Sequence, residues 1–121
     1  MSLSVGMITV DCTDPDRLAE WWAAVLGGSV SALMPGEFVL VSAPGGPALG
    51  FQRVAEPTPG KNRVHLDLGT TTDLESEVAR LTGLGATVTD RQTLPGGYHW
   101  VVLADPDGNA FCVAPAQNSP H

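Results

Sequence analysis

The chain has 121 residues, 43% of them hydrophobic and 16% charged, which is typical of one globular domain with a buried core rather than of a disordered segment. The formal net charge of −7 argues against binding nucleic acid or an anionic membrane surface, because both attract basic patches. The sequence has no run of about 18 apolar residues, the length that a transmembrane helix needs.

The N-terminus and the cysteines bear on the compartment. Met1–Ser4 lacks the basic start and the apolar block of a signal peptide. We therefore expect a cytoplasmic protein in which Cys12 and Cys112 remain reduced thiols rather than a disulfide.

The first half of the chain predicts one strand, one helix and three further strands. Alternating apolar residues predict a strand from Gly6 to Cys12. Asp14 and Pro15 are typical of a helix start. An apolar stripe from Leu18 to Leu26 follows, and Gly27-Gly28 predicts the end of the helix. The later strands are predicted at residues 30–34, 38–42 and 49–54.

The second half predicts the same order of elements. Residues 55–62 form a linker, because their two prolines and a glycine forbid a helix and disfavour a central strand. A strand is predicted at 63–68, and Thr72–Glu75 resembles a capping box that begins the second helix. The remaining strands are predicted at residues 87–94, 98–104 and 110–114.

The two halves are repeats of one pattern. Gly27 and Gly85, which follow the two predicted helices, lie 58 residues apart (85−27), and the same offset relates Met7 to His65. One module alone would leave a sheet face and a sheet edge open, whereas two can bury them. The sequence therefore predicts an α+β fold with two tandem βαβββ modules forming a curved mixed sheet around a cleft. Module one spans about residues 5–54 and module two about residues 63–115, within a single domain of residues 1–121.

Three segments carry a resemblance to a known superfamily. They are Asp11–Pro15 leading into Trp21-Trp22, then Asn62–Leu68, and finally Trp100–Val113. Through them the chain resembles the vicinal oxygen chelate superfamily of glyoxalase I, bleomycin-resistance proteins and extradiol dioxygenases. More narrowly, it is similar to the small single-domain glyoxalase-like proteins. The resemblance implies paired βαβββ modules that form a cleft, and a homodimer.

The resemblance also implies four metal-ligand positions. Family enzymes hold a divalent metal with one side chain from the first and one from the last strand of each module, typically His or Gln, Glu, His and Glu. The matching positions here are Met7, Gln52, His65 and Cys112. Gln52 and Cys112 are related at an offset of 60 (112−52), which a two-residue insertion late in module two would explain.

The residue types at these positions argue against a metal. Hard ions such as Mg²⁺ or Mn²⁺ prefer carboxylates, and none of the four positions is Asp or Glu. Zinc accepts His and Cys, but two good ligands fall short of the usual three. We therefore predict no metal cofactor. One divalent ion held by Gln52, His65 and Cys112 is the alternative.

His65 is the candidate catalytic residue, because an imidazole titrates near neutral pH and can act as a base in a cleft. The alternative is a hydrogen-bonded strand histidine. Asp67, two residues on, would either orient the imidazole or be solvated. Trp100 and Phe38 are candidates for stacking on a ligand, with ordinary core packing as the alternative. Successive strand residues alternate, so at most one of His99 and Trp100 faces the cleft.

Three functions follow from these features. The first choice is a protein that binds a small apolar or aromatic molecule in its cleft without a catalytic metal. The alternatives are a lyase, isomerase or dioxygenase of the same superfamily, either metal-dependent or using His65 as general base, and a structural or regulatory module with an empty cleft. The predicted ligand-binding residues are Met7, Phe38, Gln52, His65, Trp100 and Cys112.

Overall fold

The computed structural model describes residues 5–60, 62 and 64–116. The chain divides into two compact units, unit 1 (Met1–Pro59) and unit 2 (Gly60–His121), whose boundary falls inside the predicted linker. Each unit contains a strand, a helix and three strands, which confirms the predicted βαβββ modules and the α+β fold class. That the two modules form one domain around a shared cleft stays a prediction.

Unit 1 has a mixed four-stranded sheet covered by one helix. Its elements are β1 (Met7–Cys12), α1 (Pro15–Leu26), β2 (Ser29–Met34), β3 (Phe38–Ser42) and β4 (Ala48–Arg53). The sheet order is β1-β4-β3-β2, in which only the β1–β4 pair is parallel. Helix α1 packs on β3 and β4. The core residues of this unit include Leu18, Ala19, Trp22, Val39, Val41, Leu49 and Phe51.

Local sequence signals set both ends of α1 as predicted. The Asp14 carboxylate accepts a hydrogen bond from the backbone N–H of Arg17 at 3.3 Å. Pro15 occupies the start of the helix, where its missing N–H leaves no bond unmade. Gly27 ends the helix at a φ of 66°, in the left-handed region that strains other residues.

Unit 2 repeats this architecture. Its elements are β5 (Leu66–Thr70), α2 (Leu74–Gly83), β6 (Thr87–Thr93), β7 (His99–Ala104) and β8 (Ala110–Pro115). The sheet order is β5-β8-β7-β6, again with the first pair parallel. Its core residues include Leu74, Val78, Leu81, Val101, Leu103, Phe111 and Val113. Among the described residues, neither helix is long and apolar enough to cross a bilayer.

Two predicted boundaries in unit 2 need correction. The cap of α2 is Asp73 rather than Thr72, because the Asp73 carboxylate accepts hydrogen bonds from both the backbone N–H and the hydroxyl of Ser76, at 2.9 and 3.0 Å. The Thr72 hydroxyl instead hydrogen-bonds the hydroxyl of Thr70. Strand β5 extends two residues beyond the predicted end, to Thr70. The predicted start at Arg63 lies outside the described residues.

The strand registers fix how the two units correspond. In unit 1, Ile8 pairs with Leu49, and in unit 2 Leu66 pairs with Phe111. The first members of these pairs lie 58 residues apart (66−8) and the second members 62 (111−49). The difference in residue number between corresponding positions of the two units is therefore 58 in the first strand and 62 in the last strand.

This register corrects the pairing of Gln52 with Cys112. At an offset of 62, Cys112 corresponds to Gly50 and Gln52 corresponds to Ala114. The predicted offset of 60, and the two-residue insertion offered to explain it, are wrong.

The four additional residues lie in the first hairpin of unit 2, between β6 and β7. Ser29 pairs with Ser42 across β2 and β3, a separation of 13 residues (42−29). Thr87 pairs with Ala104 across β6 and β7, a separation of 17 (104−87). The β6–β7 hairpin is therefore four residues longer than its counterpart.

Candidate functional site

A cavity of about 790 Å³ lies within unit 2. Its floor contains alternate residues of two neighbouring strands, Val102 and Ala104 from β7 and Ala110, Cys112 and Ala114 from β8. The residues between them, such as Val101 and Phe111, are buried in the core. Strand alternation therefore divides the sheet into a core face and a face of small apolar residues that lines the cavity.

Three side chains with reactive groups meet at one margin of the cavity. His65 Nδ1 lies 3.1 Å from Asp67 Oδ1, and Cys112 Sγ lies 3.9 Å from the same nitrogen. Asp67 on β5 is the register partner of Cys112 on β8. Of the two roles considered for Asp67, the structure confirms that it contacts the imidazole.

The contact with Asp67 bears on the chemistry of His65. When Nδ1 carries the proton of the neutral ring, it donates to Asp67 Oδ1, and Nε2 then presents a lone pair. The His65 side chain is 41% exposed, so solvent and ligands reach it. A histidine held in this way can accept a proton or a hydrogen bond from a molecule in the cavity.

Asn62 fixes the segment that leads to His65. Its side-chain oxygen accepts a hydrogen bond from the backbone N–H of Ala110 at 2.7 Å, and its amide nitrogen donates to the Ala110 carbonyl at 3.2 Å. One side chain thereby satisfies both backbone groups of a β8 residue. The pairing ties the chain to the sheet three residues before His65, ahead of β5.

An aromatic pair lines another part of the cavity. The rings of Tyr98 and Trp100 lie 5.7 Å apart at an interplanar angle of 40°. Both residues line the cavity together with Leu94, and all three belong to the long β6–β7 hairpin. The ring of His99 is directed elsewhere, with Nδ1 3.0 Å from the Gly97 carbonyl. Of His99 and Trp100, the cavity of unit 2 is thus lined by Trp100, in keeping with the expectation that at most one of them faces the cleft.

Polar residues of β6 complete the lining, and the sequence analysis missed them. Asp90 and Gln92 line the cavity, and they pair in register with Val102 and Trp100. A register shift between Val88 and Asp90 interrupts the strand before this point. Asp90 and Gln92 are two residues apart, as residues on one face of a strand are. They could have been recognised from this spacing, but the segment lacks the alternating apolar residues that predict a strand.

The predicted ligand-binding residues of unit 1 form a different arrangement. Met7 and Phe38 meet over Gly50, where an added Cβ would lie 2.9 Å from the Met7 sulfur and 2.9 Å from Phe38 Cζ. Gln52 lies two residues further along β4, opposite Asp11 and Phe38. Of the six predicted ligand-binding residues, the cavity of unit 2 contains His65, Trp100 and Cys112. A ligand-binding role for Met7, Phe38 and Gln52 stays a prediction.

The residues present do not fit the carboxylate-rich metal site that the resemblance implies. The counterpart of Cys112 in unit 1 is Gly50, which has no side chain, and the counterpart of His65 is Met7, a thioether. In unit 2 the ligand atoms of His65, Asp67 and Cys112 lie within 4.8 Å of one another. An imidazole, a carboxylate and a thiol suit zinc rather than Mg²⁺ or Mn²⁺. Among the described residues these three are therefore the ones that could hold a soft metal ion, and Asp67 supplies a third ligand that the sequence analysis did not count.

Comparison with known proteins agrees with this fold. The sequence matches the family described as a glyoxalase-like domain over residues 7–114. No curated protein matches the chain. A solved glyoxalase/bleomycin resistance protein/dioxygenase family enzyme from Burkholderia phytofirmans PsJN is similar, with 17% identity and a TM-score of 0.77 over 95% of this chain and 100% of that chain.

Two further solved structures share the architecture. Lactoylglutathione lyase from Agrobacterium tumefaciens is 16% identical, with a TM-score of 0.70 and 96% of each chain covered. TnmS3, an antibiotic binding protein from Streptomyces sp. CB03234, is 23% identical, with a TM-score of 0.71 over 97% of this chain and 99% of that chain. Because the family match spans most of the sequence, the chain belongs to the family of glyoxalase-like domains.

Proposed function

We propose that the protein binds a small apolar or aromatic molecule in the cavity of unit 2, and that it does so without a catalytic metal. The observation that carries the proposal is the Tyr98–Trp100 pair, which lines a cavity with an apolar floor. A flat ring placed on Trp100 would stack on one aromatic side chain beside another. At about 790 Å³ the cavity lies in the size range of small-molecule sites.

The composition of the floor supports this proposal. Ala104, Ala110 and Ala114 are small residues that leave room above the sheet, and Val102 and Cys112 are apolar and half-buried. Binding would remove this surface from water, which stabilises a complex by about 25 cal/mol per Å² of apolar area before the costs of association. The similarity to TnmS3, which is named an antibiotic binding protein, is in keeping with a binding function.

Titration with acridine, a neutral flat tricycle, tests this proposal by calorimetry. We expect binding to the wild-type chain and an affinity at least about fivefold lower in Trp100→Ala, since an aromatic stacking pair contributes roughly 1 kcal/mol. Leu33→Ala is the control, because Leu33 is a 57% exposed apolar residue of unit 1. Absence of binding, or equal affinity in Trp100→Ala, would contradict the proposal.

A second candidate is a metal-free lyase or isomerase with His65 as general base. The 3.1 Å approach of Asp67 to Nδ1 favours it, because this contact leaves Nε2 able to take a proton. The assay is formation of lactoylglutathione, the compound in the name of the Agrobacterium relative, by a chelator-treated sample. Activity lost in His65→Gln and retained in Cys112→Ala would support the enzyme. Absence of turnover would leave ligand binding as the function.

We further propose that the protein is a homodimer, as the resemblance implies, and that it is located in the cytoplasm. Light scattering after size exclusion would then give twice the chain mass of 12.6 kDa. A mass of one chain at micromolar concentration would contradict the dimer.

A further inference from the structure

We infer that the ligand of this cavity is a flat aromatic cation, whose ring lies on Trp100 and whose positive charge is attracted by the carboxylates of Asp67 and Asp90 at the two margins of the floor. The inference rests on the proposed function and adds to it the charge and the shape of the ligand. Three features carry it: a row of residues that crosses the sheet, the charges at the two ends of that row, and the aromatic pair beside it.

The row consists of four residues in register. Asp67 on β5 pairs with Cys112 on β8, Cys112 pairs with Val102 on β7, and Val102 pairs with Asp90 on β6. These strands are consecutive neighbours in the sheet, so the backbones of the two aspartates are three strand spacings apart, roughly 14 Å. All four residues line the cavity. The floor is therefore apolar in the middle and carboxylate-bearing at both margins.

The aromatic pair lies next to this row. Trp100 pairs with Gln92, two residues beyond Asp90 on the same strand, and it precedes Val102 by two residues on β7. Trp100 and Val102 therefore share one face of β7. A planar ring of two or three fused cycles that covers them would lie beside Asp90, the register partner of Val102, so a positive charge on the ring system would be close to a marginal carboxylate.

The charges of the described lining residues have one sign. Asp67 and Asp90 are acidic, and the cavity lining as described contains His65 but no lysine or arginine. Arg91, which follows Asp90, is directed to helix α2, where its guanidinium donates to Glu75 at 2.8 Å. An anionic ligand would meet two carboxylates there, whereas a cation would be attracted to them and to the face of Trp100.

Both carboxylates keep acceptor capacity for a ligand. Asp67 Oδ1 contacts His65, and the Asp67 side chain is 73% exposed. Asp90 accepts hydrogen bonds from the backbone N–H of Arg91 and from the Gln92 amide, one on each oxygen. A carboxylate offers about four lone-pair sites, so each group can accept a further bond from an ammonium or amidinium donor.

Three probes with one ring system and different charges test the inference. They are 9-aminoacridine as the cation, acridine as the neutral molecule and acridine-9-carboxylate as the anion, each titrated calorimetrically into the full chain at neutral pH. We expect the cation to bind about tenfold more tightly than acridine. Asp67→Asn and Asp90→Asn should each weaken the cation about threefold and leave acridine unchanged, since a partly exposed ion pair is worth up to about 1 kcal/mol. Raising the salt concentration should reduce the preference.

Glu20→Gln is the matched control, because it removes one negative charge from an exposed position on α1. It should leave all three affinities unchanged. Thermal unfolding of each variant checks that the exposed Asp→Asn changes leave the fold intact.

The outcomes separate this inference from the proposed function. Equal binding of the cation and acridine, with both weakened in Trp100→Ala, would overturn the inference and leave the proposed function standing. Tightest binding of the anion would also overturn the inference. If none of the three probes binds, the proposed function fails as well.

Discussion

Gly50 and Cys112 occupy corresponding positions on the last strand of each unit, yet their surroundings differ in chemistry. Gly50 is covered by the Met7 sulfur and by the ring of Phe38. Cys112 lies beside His65 and Asp67. In unit 1 the position is a glycine in contact with apolar side chains. In unit 2 it is a thiol next to an imidazole and a carboxylate. At these corresponding positions, only unit 2 carries groups that can exchange protons or bind a metal ion.

Gly50→Ala tests the close cover in unit 1. The added Cβ would lie 2.9 Å from both the Met7 sulfur and Phe38 Cζ and 3.2 Å from Thr9 Oγ1, so these side chains must move. We expect a loss of about 1–3 kcal/mol in the free energy of unfolding, as is typical of overpacking, measured by urea denaturation.

Gly46→Ala is the control for this experiment. A Cβ added at Gly46 would have no atom within 4 Å, and the φ of this residue is not in the left-handed region. The stability should change by less than about 0.5 kcal/mol or rise slightly. Equal effects of the two substitutions would show that Met7 and Phe38 do not cover Gly50.

At the scale of elements, helix α2 begins at a carboxylate where the sequence pattern favoured a hydroxyl. Asp73→Ala should lower the free energy of unfolding by about 1 kcal/mol, because it removes the acceptor for the Ser76 backbone N–H. Thr72→Ala, measured in the same denaturation experiment, should cost less, since it loses only the exposed hydroxyl contact with Thr70. A larger effect at Thr72 would restore the predicted capping box.

Most elements could be predicted from the sequence because their signals are local. The ends of α1 follow from Asp14, Pro15 and Gly27, and β3 has the predicted bounds of residues 38–42. The correspondence of the last strands could not be predicted, because it depends on the length of the β6–β7 hairpin. Alternation along a strand does not reveal a register shift such as the one between Val88 and Asp90.

Part of the candidate site could be predicted from the sequence. His65, Trp100 and Cys112 were identified from the resemblance and the strand alternation, and they line one cavity. Asp90 was missed, because its place opposite Val102 depends on the shifted register of an exposed strand. Leu94 was missed because the longer hairpin that carries it has no counterpart in unit 1.

At the scale of the whole molecule, the two repeats differ in the side chains that could coordinate a metal ion. Unit 1 offers a thioether at Met7 and no side chain at Gly50, whereas unit 2 offers His65, Asp67 and Cys112. A hard divalent ion shared by corresponding positions of both repeats would need carboxylates that neither Met7 nor Gly50 supplies. A soft ion such as zinc could be held by the three residues of unit 2 alone.

Native mass spectrometry of the untagged chain, purified without chelator, distinguishes these cases. We expect a mass without a divalent ion and, in a separate melting experiment, no change in Tm on adding Mg²⁺ or Mn²⁺, because the four positions implied by the resemblance lack the carboxylates that these ions prefer. A zinc adduct would contradict the metal-free proposal, and three variants would then locate the ion. Loss of zinc in Asp67→Ala and Cys112→Ala, with retention in Gln52→Ala, would place it in the cluster of unit 2, where the ligand atoms lie within 4.8 Å of one another. Loss in Gln52→Ala would instead identify the set of Gln52, His65 and Cys112, and with it a site to which unit 1 contributes.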